Sequence, residues 1–346
     1  MEINQEFIDT LTKFETDLLK AFLDIKGIKS ANIPEIDQPL VQDECIYCGS
    51  TNIIKNGRSV KGRQRYLCKD CKKTFTAITK SFFKHTRLSY TQWVKFLECE
   101  IVGLTLKKTA YQIGISKTSC FYMRHKLYKS LEKFQAKKLK REVQLDTTFL
   151  DMDLKGLKIM PKPVKGSKKN PSVKCIFDRD PHICISTAVD YKGSILFRIS
   201  GYGGESSNKY QKHIDYYDEN CKIISDKSST ILKFAKQNNF KCMALKEGYH
   251  KTKDGKHISD VNSLHSDLKN LIRNKRGVSL RHLQGYLNWI VFKRHFIRIK
   301  RNLWGLETYR FIKDKEKELR NTDICKKEFP ISLEEIYGRY HYGMFA

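Results

Sequence analysis

The stretch Arg141-Glu142-Val143-Gln144-Leu145-Asp146-Thr147-Thr148-Phe149-Leu150 decides how the second half of the chain is interpreted. Apolar and polar side chains alternate along it, and that period of two predicts a β-strand. Asp146 is the one carboxylate near the middle of this strand, and Glu142 lies at its start. The elements predicted after this strand indicate the fold, and the fold in turn indicates a role for Asp146.

Downstream of this strand, apolar and β-branched runs predict further strands, and capped amphipathic runs predict helices. In order, the predicted elements are a strand over 182–189, a turn at 190–193, a strand over 194–199, a strand over 221–225 ending on Asp226, a helix over 228–236 and a strand over 242–245. Three antiparallel strands followed by strands that alternate with helices is the order of an RNase H-like α/β domain with a mixed sheet.

This strand order predicts a catalytic site. If the first and fourth strands are neighbours, Asp146 and Asp226 lie side by side. Two such carboxylates bind Mg²⁺ through oxygen, and a pair of ions can clamp the attacking and leaving oxygens of a phosphodiester. We expect a third ligand from a later helix, within residues 257–269.

Four cysteines near the front of the chain form two C-x2-C pairs, Cys45 with Cys48 and Cys68 with Cys71, separated by 19 residues. This spacing suits four thiolates around one structural Zn²⁺ ion, and strand-like runs with an Asn-Gly turn lie between the pairs. The sequence therefore predicts a small zinc ribbon. Four unrelated buried cysteines are the alternative.

The charge of the chain is large and uneven. The whole chain carries +28, residues 1–50 carry −6 and residues 51–141 carry +19. A basic segment of this size indicates a nucleic-acid partner, against the alternative of a lysine-rich background. The longest apolar stretch is too short for a bilayer, and the other cysteines lack paired spacing. We expect a cytoplasmic protein in a reducing compartment, with no membrane role.

Within the basic segment, the run from Leu106 to Ser116 has the small residue, turn glycine and apolar spacing of a helix-turn-helix. The helix that follows would read DNA with side chains near its start. Its candidate DNA contacts are Lys117, Thr118, Ser119, Tyr122 and Arg124. Three ordinary packing helices are the alternative.

The sequence thus divides into five parts: an amphipathic helix and linker (1–40), the zinc ribbon (41–80), an all-α helix-turn-helix domain (81–140), the α/β catalytic domain (141–300) and a tail without a predicted role (301–346). The first helix could pack on its own chain or on a second copy. The helices after residue 272 are basic and interleaved with aromatics, which favours either a DNA-backbone track or a solvated face whose aromatics turn to the core.

Taken together, these motifs resemble the bacterial insertion-sequence transposases that join a zinc ribbon and helix-turn-helix to a DDE-type catalytic domain, in the subgroup with an Asp, Asp, Asn, Lys signature. The resemblance covers residues 45–300. Beyond the cysteines it rests on Leu145-Asp146, Ser225-Asp226, Val261-Asn262 and Leu268-Lys269, with 35 residues between the second Asp and the Asn. Asn262 and Lys269 are seven residues apart, which places them on one helix face.

The resemblance implies that Asp146 bridges two Mg²⁺ ions, that Asp226 and Asn262 each hold one, and that Mn²⁺ can substitute. It implies that Lys269, with Arg273 nearby, contacts DNA phosphate. The implied partners are double-stranded terminal inverted repeats and target DNA, bound by a homo-oligomer near the bacterial nucleoid. Asn in place of a carboxylate removes a negative charge, so an inactivated site and a non-catalytic DNA-binding regulator are the alternatives.

Other carboxylates and histidines lie close to these positions. Asp151, Asp153 and Asp260 are expected to be solvated, and His257 and His265 are expected to lie on the surface. The run Gly201-Tyr202-Gly203-Gly204 lacks the Lys-Ser/Thr of a P-loop and predicts an ordinary turn.

Overall fold

The computed structural model describes residues 43–60, 64–76, 79–80, 88, 90–151, 182–245, 257–275, 277–299, 320–325 and 328–331. The chain forms two compact units, and the first changes to the second between Ser130 and Leu131. The described segment 320–325 belongs to the first unit, and residues 328–331 belong to the second. The amphipathic helix and linker predicted over residues 1–40 lie outside the described residues.

The first unit begins with a three-stranded antiparallel sheet, in the order β1 (Ile53–Arg58), β2 (Gln64–Cys68) and β3 (Thr74–Thr76). Its core is small and is formed by Cys45, Ile46, Tyr66, Cys68 and Phe75. Gly49 adopts φ +76°, a left-handed conformation that favours glycine, where the chain leaves the first cysteine pair. The two predicted strand regions of the ribbon are therefore present. The predicted Asn56-Gly57 turn is wrong: both residues lie inside β1, where the pairing with β2 is irregular between Lys55 and Arg58 and Gly57 adopts φ +63°.

Three helices follow in the first unit: α1 (Tyr90–Val102), α2 (Leu106–Ile113) and α3 (Lys117–Ser130). Thr105 caps α2 by accepting from the Lys108 N–H, and Gly114 ends it at φ +72°. The Ser116 hydroxyl accepts from the Ser119 N–H at 3.0 Å and caps α3. The sequence pattern of α3 predicts a helix from Lys117 to about Phe134, but the helix ends at Ser130 and passes into a 3-10 turn, Leu131–Phe134.

The second unit is built on a five-stranded sheet in the order β6-β5-β4-β7-β8. Its strands are β4 (Glu142–Asp151), β5 (His182–Asp190), β6 (Ile195–Tyr202), β7 (Lys222–Ser225) and β8 (Lys241–Ala244). β4, β5 and β6 pair antiparallel, whereas β7 is parallel to both β4 and β8. This confirms the α/β mixed sheet and RNase H-like strand order expected from the sequence.

Helices cover both faces of this sheet because each face has an apolar side to bury. On one face α4 (Ser207–Gln211) and α5 (Ser229–Gln237) pack through residues such as Tyr210 and Phe234. On the other, α6 (Ser259–Lys275) and α7 (Leu280–Ile299) form a second apolar cluster with β5 and β6. α4 was not predicted. A last short helix, α8 (Asn321–Cys325), belongs to the first unit.

None of the helices in the described part of the chain combines the length and apolar character needed to cross a membrane.

Candidate active site and metal centre

The four predicted zinc ligands converge at one end of the ribbon. Sγ of Cys45 lies 3.6 Å from Sγ of Cys71, and Cys48 and Cys68 are separated by the same distance. All four sulfurs lie within 4.8 Å of one another. Thiolates about 2.3 Å from a shared zinc ion stand roughly 3.8 Å apart, so the arrangement fits tetrahedral Zn²⁺. The N–H of Cys71 lowers the pKa of the Cys68 thiol to about 7, which favours the thiolate that binds metal.

In the second unit, strand register brings the two predicted aspartates together. β4 and β7 are parallel neighbours, and Gln144 pairs with Ile224. Asp146 and Asp226 each lie two residues beyond this pair, Asp146 within β4 and Asp226 just past β7, and they are close enough for the charge of Asp226 to raise the pKa of Asp146. Asp146 is partly buried and Asp226 is exposed just beyond the end of β7.

Two other carboxylates and one ammonium group lie near Asp146, so negative charge exceeds positive charge around it. The pKa of Asp146 is raised to about 7, chiefly by burial and also by the charges of Asp226 and Glu205, against lowering by the Thr147 N–H and Lys269. The Thr147 N–H donates to Oδ1 of Asp146 at 2.7 Å. A divalent cation beside this carboxyl group would favour its ionised form.

Helix α6 brings the remaining predicted residues to the same sheet. It packs against β4 and β5, and Asn262 and Lys269 lie two turns apart on it. Asn262 is half-buried and Lys269 is exposed. Lys269 lies close enough for its charge to lower the pKa of Asp146. An amide oxygen, two carboxylates and an ammonium group are thus supplied from β4, the end of β7 and one helix.

His265, expected on the surface, is instead buried between α6 and the sheet. It is 8% exposed; its Nε2 lies 2.9 Å from Thr187 Oγ1 and its Nδ1 lies 3.7 Å from Asp146 Oδ2. Burial lowers the pKa of His265 to about 4, with the charge of Lys269 adding to the effect, so the ring is neutral at pH 7. The expectation for His265 was wrong because its helix position, one turn after Asn262, faces β5 rather than solvent.

Sequence analysis also missed Glu205, which lies in the loop between β6 and α4. Its Oε1 accepts a short hydrogen bond from the Tyr210 hydroxyl, and its Oε2 accepts from the Ser228 hydroxyl at 2.8 Å. Its charge contributes to the raised pKa of Asp146. No motif marks this residue, because its partners come from separate elements.

The rival carboxylates have other roles. Asp260 accepts from the Gln144 side chain at 2.8 Å and so ties the start of α6 to β4. Asp151, at the end of β4, has a side chain that is 97% exposed and lies 3.3 Å from His182 Nδ1. His257 is half-buried beside Ser259. Asp153 lies outside the described residues.

The candidate DNA contacts on α3 fall into two groups. Lys117, Thr118 and Ser119 are exposed at its first turn, but Arg124 is 2% exposed and pairs with Glu100 at 2.5 to 3.0 Å. The structure therefore places Arg124 inside the first unit and away from any DNA surface. Tyr122 is half-buried, and its hydroxyl lies 2.9 Å from Cys325 Sγ.

At the end of α6, Arg273 is exposed and its guanidinium donates to Asn270. In α7 the aromatic side chains of Tyr286, Trp289 and Phe292 are buried. Arg294 pairs with Asp267 at 2.7 Å. These contacts favour the interpretation of α7 as a packing helix whose aromatic side chains turn to the core.

Comparison with known proteins gives independent information on the front of the chain. The family model of the InsA N-terminal domain, a zinc ribbon, matches residues 41–72. The chain is also 26% identical over 113 residues to an uncharacterized protein in transposable element ISH50 of Halobacterium salinarum. That match covers 32% of this chain and 38% of the relative, so the chain spans well under half the length of that protein.

Among solved structures, a chain of the simian T-cell lymphotropic virus intasome in complex with PP2A regulatory subunit B56 gamma matches at 9% identity and a TM-score of 0.26, over 56% of this chain and 67% of that one. A chain of the Mos1 Strand Transfer Complex matches at 11% identity and a TM-score of 0.25, over 64% and 73%. The fold described above rests on strand order rather than on these scores. Residues 41–72 are thus similar to the zinc ribbon of the InsA N-terminal domain, and part of the chain is similar to a protein in a transposable element.

Proposed function

We propose that this protein is a DNA transposase of the DDE type, which binds the terminal inverted repeats of an insertion sequence and catalyses strand cleavage and strand transfer. The observation that carries the proposal is the parallel pairing of β4 with β7, which brings the segments that bear Asp146 and Asp226 next to each other. The InsA-type ribbon and the transposable-element relative support the same conclusion.

Asp146, Asp226 and the amide oxygen of Asn262 would hold two Mg²⁺ ions, or Mn²⁺ in their place. When bound, these ions would stabilise the attacking and leaving oxygens of a phosphodiester in an in-line displacement. The donor set fits because all three groups offer oxygen, which Mg²⁺ prefers. The raised pKa of Asp146, which arises chiefly from burial, fits as well, since a bound cation would favour the ionised carboxylate and offset its repulsion by nearby carboxylates.

Other residues of the site would act on the DNA and on the aspartates. Lys269 is exposed and would neutralise a phosphate next to the reacting bond. His265 is neutral and buried, so it lies beside Asp146 without adding a competing positive charge.

Recognition of the repeats would fall to the first unit. The first turn of α3 presents Lys117, Thr118 and Ser119 to solvent, where a recognition helix reaches base edges. Residues 51–141 carry +19, enough to make binding strongly salt-dependent through counterion release. We propose that the protein acts as a homo-oligomer because transposition must join two element ends.

A nicking assay tests the catalytic part. Purified protein is incubated with Mg²⁺ or Mn²⁺ and a duplex carrying the terminal repeat that flanks its gene. Wild-type protein should nick the repeat end, and Asp146→Ala should lower the rate by at least about 10³-fold, the scale expected for loss of a principal charge-stabilising group. Asp151→Ala is the matched control, since Asp151 lies on the same strand but is almost fully exposed.

The result also separates catalysis from DNA binding alone. If wild type binds the repeat but nicks no faster than Asp146→Ala, the protein is a non-catalytic DNA-binding regulator or an inactivated transposase. If Asp151→Ala lowers the rate as much as Asp146→Ala, the assignment of the site to Asp146 is wrong.

A further inference from the structure

The loop that carries Glu205 is held rigidly by the protein itself. The Lys209 ammonium donates to three successive backbone carbonyls, those of Tyr202 at 2.5 Å, Gly203 at 3.0 Å and Gly204 at 2.6 Å. The Gly203 N–H donates to the His182 carbonyl at 2.8 Å. These hydrogen bonds fix the backbone of residues 202–204, and they thereby fix the direction of the next side chain in the loop, Glu205.

The carboxylate of Glu205 joins two segments through its two oxygens. One oxygen accepts from the hydroxyl of Tyr210, a residue that is 1% exposed, and the other accepts from the hydroxyl of Ser228. The Tyr210 hydroxyl also lies 2.5 Å from Thr147 Oγ1. Glu205 thereby links β4 to the turn that opens α5.

Both ends of this link lead directly to an aspartate. Thr147 donates its N–H to Asp146 at 2.7 Å, and Ser228 donates its N–H to Asp226 at 3.0 Å. The same two residues that receive the link therefore also orient the two candidate metal ligands. Glu205 contacts neither aspartate by a hydrogen bond of its own in the described structure.

The backbone pairing between β4 and β7 ends before it reaches the two aspartates. The recorded pairing between β4 and β7 runs from Glu142–Lys222 to Gln144–Ile224 and stops two residues short of the aspartates. Beyond that point, backbone pairing between the two strands does not set the distance between Asp146 and Asp226. The chain Thr147, Tyr210, Glu205, Ser228 spans the gap where the ladder ends.

We propose that Glu205 is a positioning residue that sets the spacing of Asp146 and Asp226 and thereby the affinity of the site for divalent cations. This inference rests on the proposed function. The proposed third ligand, Asn262, is uncharged and binds a cation more weakly than a carboxylate would. Cation affinity then depends more strongly on the two aspartates, and fixing their spacing beforehand avoids the free-energy cost of ordering them on binding.

Two substitutions separate position from charge. Glu205→Asp keeps the charge but is one methylene shorter and cannot reach both hydroxyls. Glu205→Gln loses the charge but keeps the length; its oxygen can accept from Tyr210, and its NH2 can donate to Ser228, whose hydroxyl can turn to Thr230 at 2.6 Å. Tyr210→Phe removes one arm while keeping the buried ring against Phe234. Tyr217→Phe is the control, a buried tyrosine against the same Phe234 but outside the link.

The experiment measures Mn²⁺ binding to the full-length, zinc-loaded protein by electron paramagnetic resonance, with circular dichroism on each variant to verify folding. If wild type shows no Mn²⁺ site that Asp146→Ala removes, the proposed function fails first. Given such a site, we expect about tenfold weaker Mn²⁺ binding for Glu205→Asp, about threefold weaker for Tyr210→Phe, and wild-type binding for Tyr217→Phe. Glu205→Gln should lose less affinity than Glu205→Asp.

Two results would overturn the inference while leaving the proposed function in place. One is full Mn²⁺ affinity in Glu205→Asp with weakened affinity in Glu205→Gln. This result would mean that Mn²⁺ affinity depends on the charge of Glu205 and not on the length of its side chain. The other is unchanged affinity in both Glu205→Asp and Tyr210→Phe. Because Tyr210→Phe is nearly isosteric, it decides the question even if a substitution at 205 prevents folding.

Discussion

At the scale of the residue, Asp146 combines burial with two neighbouring carboxylates, and its pKa is raised to about 7. A cation and a proton therefore compete for the same oxygens in the range where the protein would work. Affinity for the cation is fully present above the pKa and is lost as the pH falls through it.

The competition gives a pH prediction. Mn²⁺ affinity should rise by about fivefold between pH 6 and pH 7 and by less than about twofold between pH 7 and pH 8, as expected for one titrating ligand of pKa about 7. Titrations at constant ionic strength would measure it. Asp146→Asn, which cannot ionise, should bind more weakly and with a flatter profile. Equal affinity at pH 6 and pH 7 in wild type would contradict the assignment.

At the scale of the element, helix α3 exposes its first turn to solvent and buries an ion pair in its second half. Its exposed first turn carries Lys117, whereas its buried half holds Arg124 against Glu100, with the Tyr128 hydroxyl also donating to that carboxylate at 2.7 Å. Removing one member of a fully buried pair leaves the other charge without compensation, which costs about 3 to 5 kcal/mol.

Substitutions at the two ends of α3 should therefore affect different properties, stability at one end and DNA binding at the other. Arg124→Ala should lower the free energy of unfolding of the first unit by about 3 to 5 kcal/mol. Lys117→Ala should leave stability within about 0.5 kcal/mol, weaken repeat binding and reduce the salt slope by about one counterion. Urea unfolding and fluorescence anisotropy across a salt series measure these effects. Unchanged stability in Arg124→Ala would show that the pair contributes nothing.

The elements also show which features the sequence could predict. Strands β4 and β7, the Gly114 turn and the Asp190 turn were predicted because local pattern and turn chemistry specify them. The aspartate pair followed from strand order. His265 and Glu205 were beyond prediction because their surroundings come from β5, α4 and the start of α5, and single-sequence patterns carry no information on such long-range contacts.

At the scale of the whole molecule, the two units depend on metals in different ways. Among the described residues, the ribbon core has five members, two of which, Cys45 and Cys68, are candidate zinc ligands; so small a core gives too little stability without the ion. The described part of the second unit has two apolar clusters of 14 buried residues each, and we expect it to fold without a metal.

Zinc removal should therefore be selective. A zinc chelator, followed by excess Mg²⁺, should abolish the ribbon signals in a proton–nitrogen NMR spectrum and leave the signals of the five-stranded sheet in place. Affinity for the repeat should fall by at least about tenfold if the ribbon contacts DNA. Cys71→Ser should reproduce the effect, and Cys242→Ser serves as a control because Cys242 lies in β8. Unchanged repeat binding by chelated protein would show that the ribbon has no part in DNA recognition.

The short helix α8 has a consequence for how the molecule is made. It packs on α3 and places Cys325 against Tyr122, although more than 150 residues of the second unit lie between them in the chain. A ribosome synthesises α3 first, then the second unit as far as Ile299, and only later residues 320–325 of the first unit. A nascent chain therefore lacks this part of the first unit until residues 320–325 have been made, and no single cut can release the two units as intact fragments.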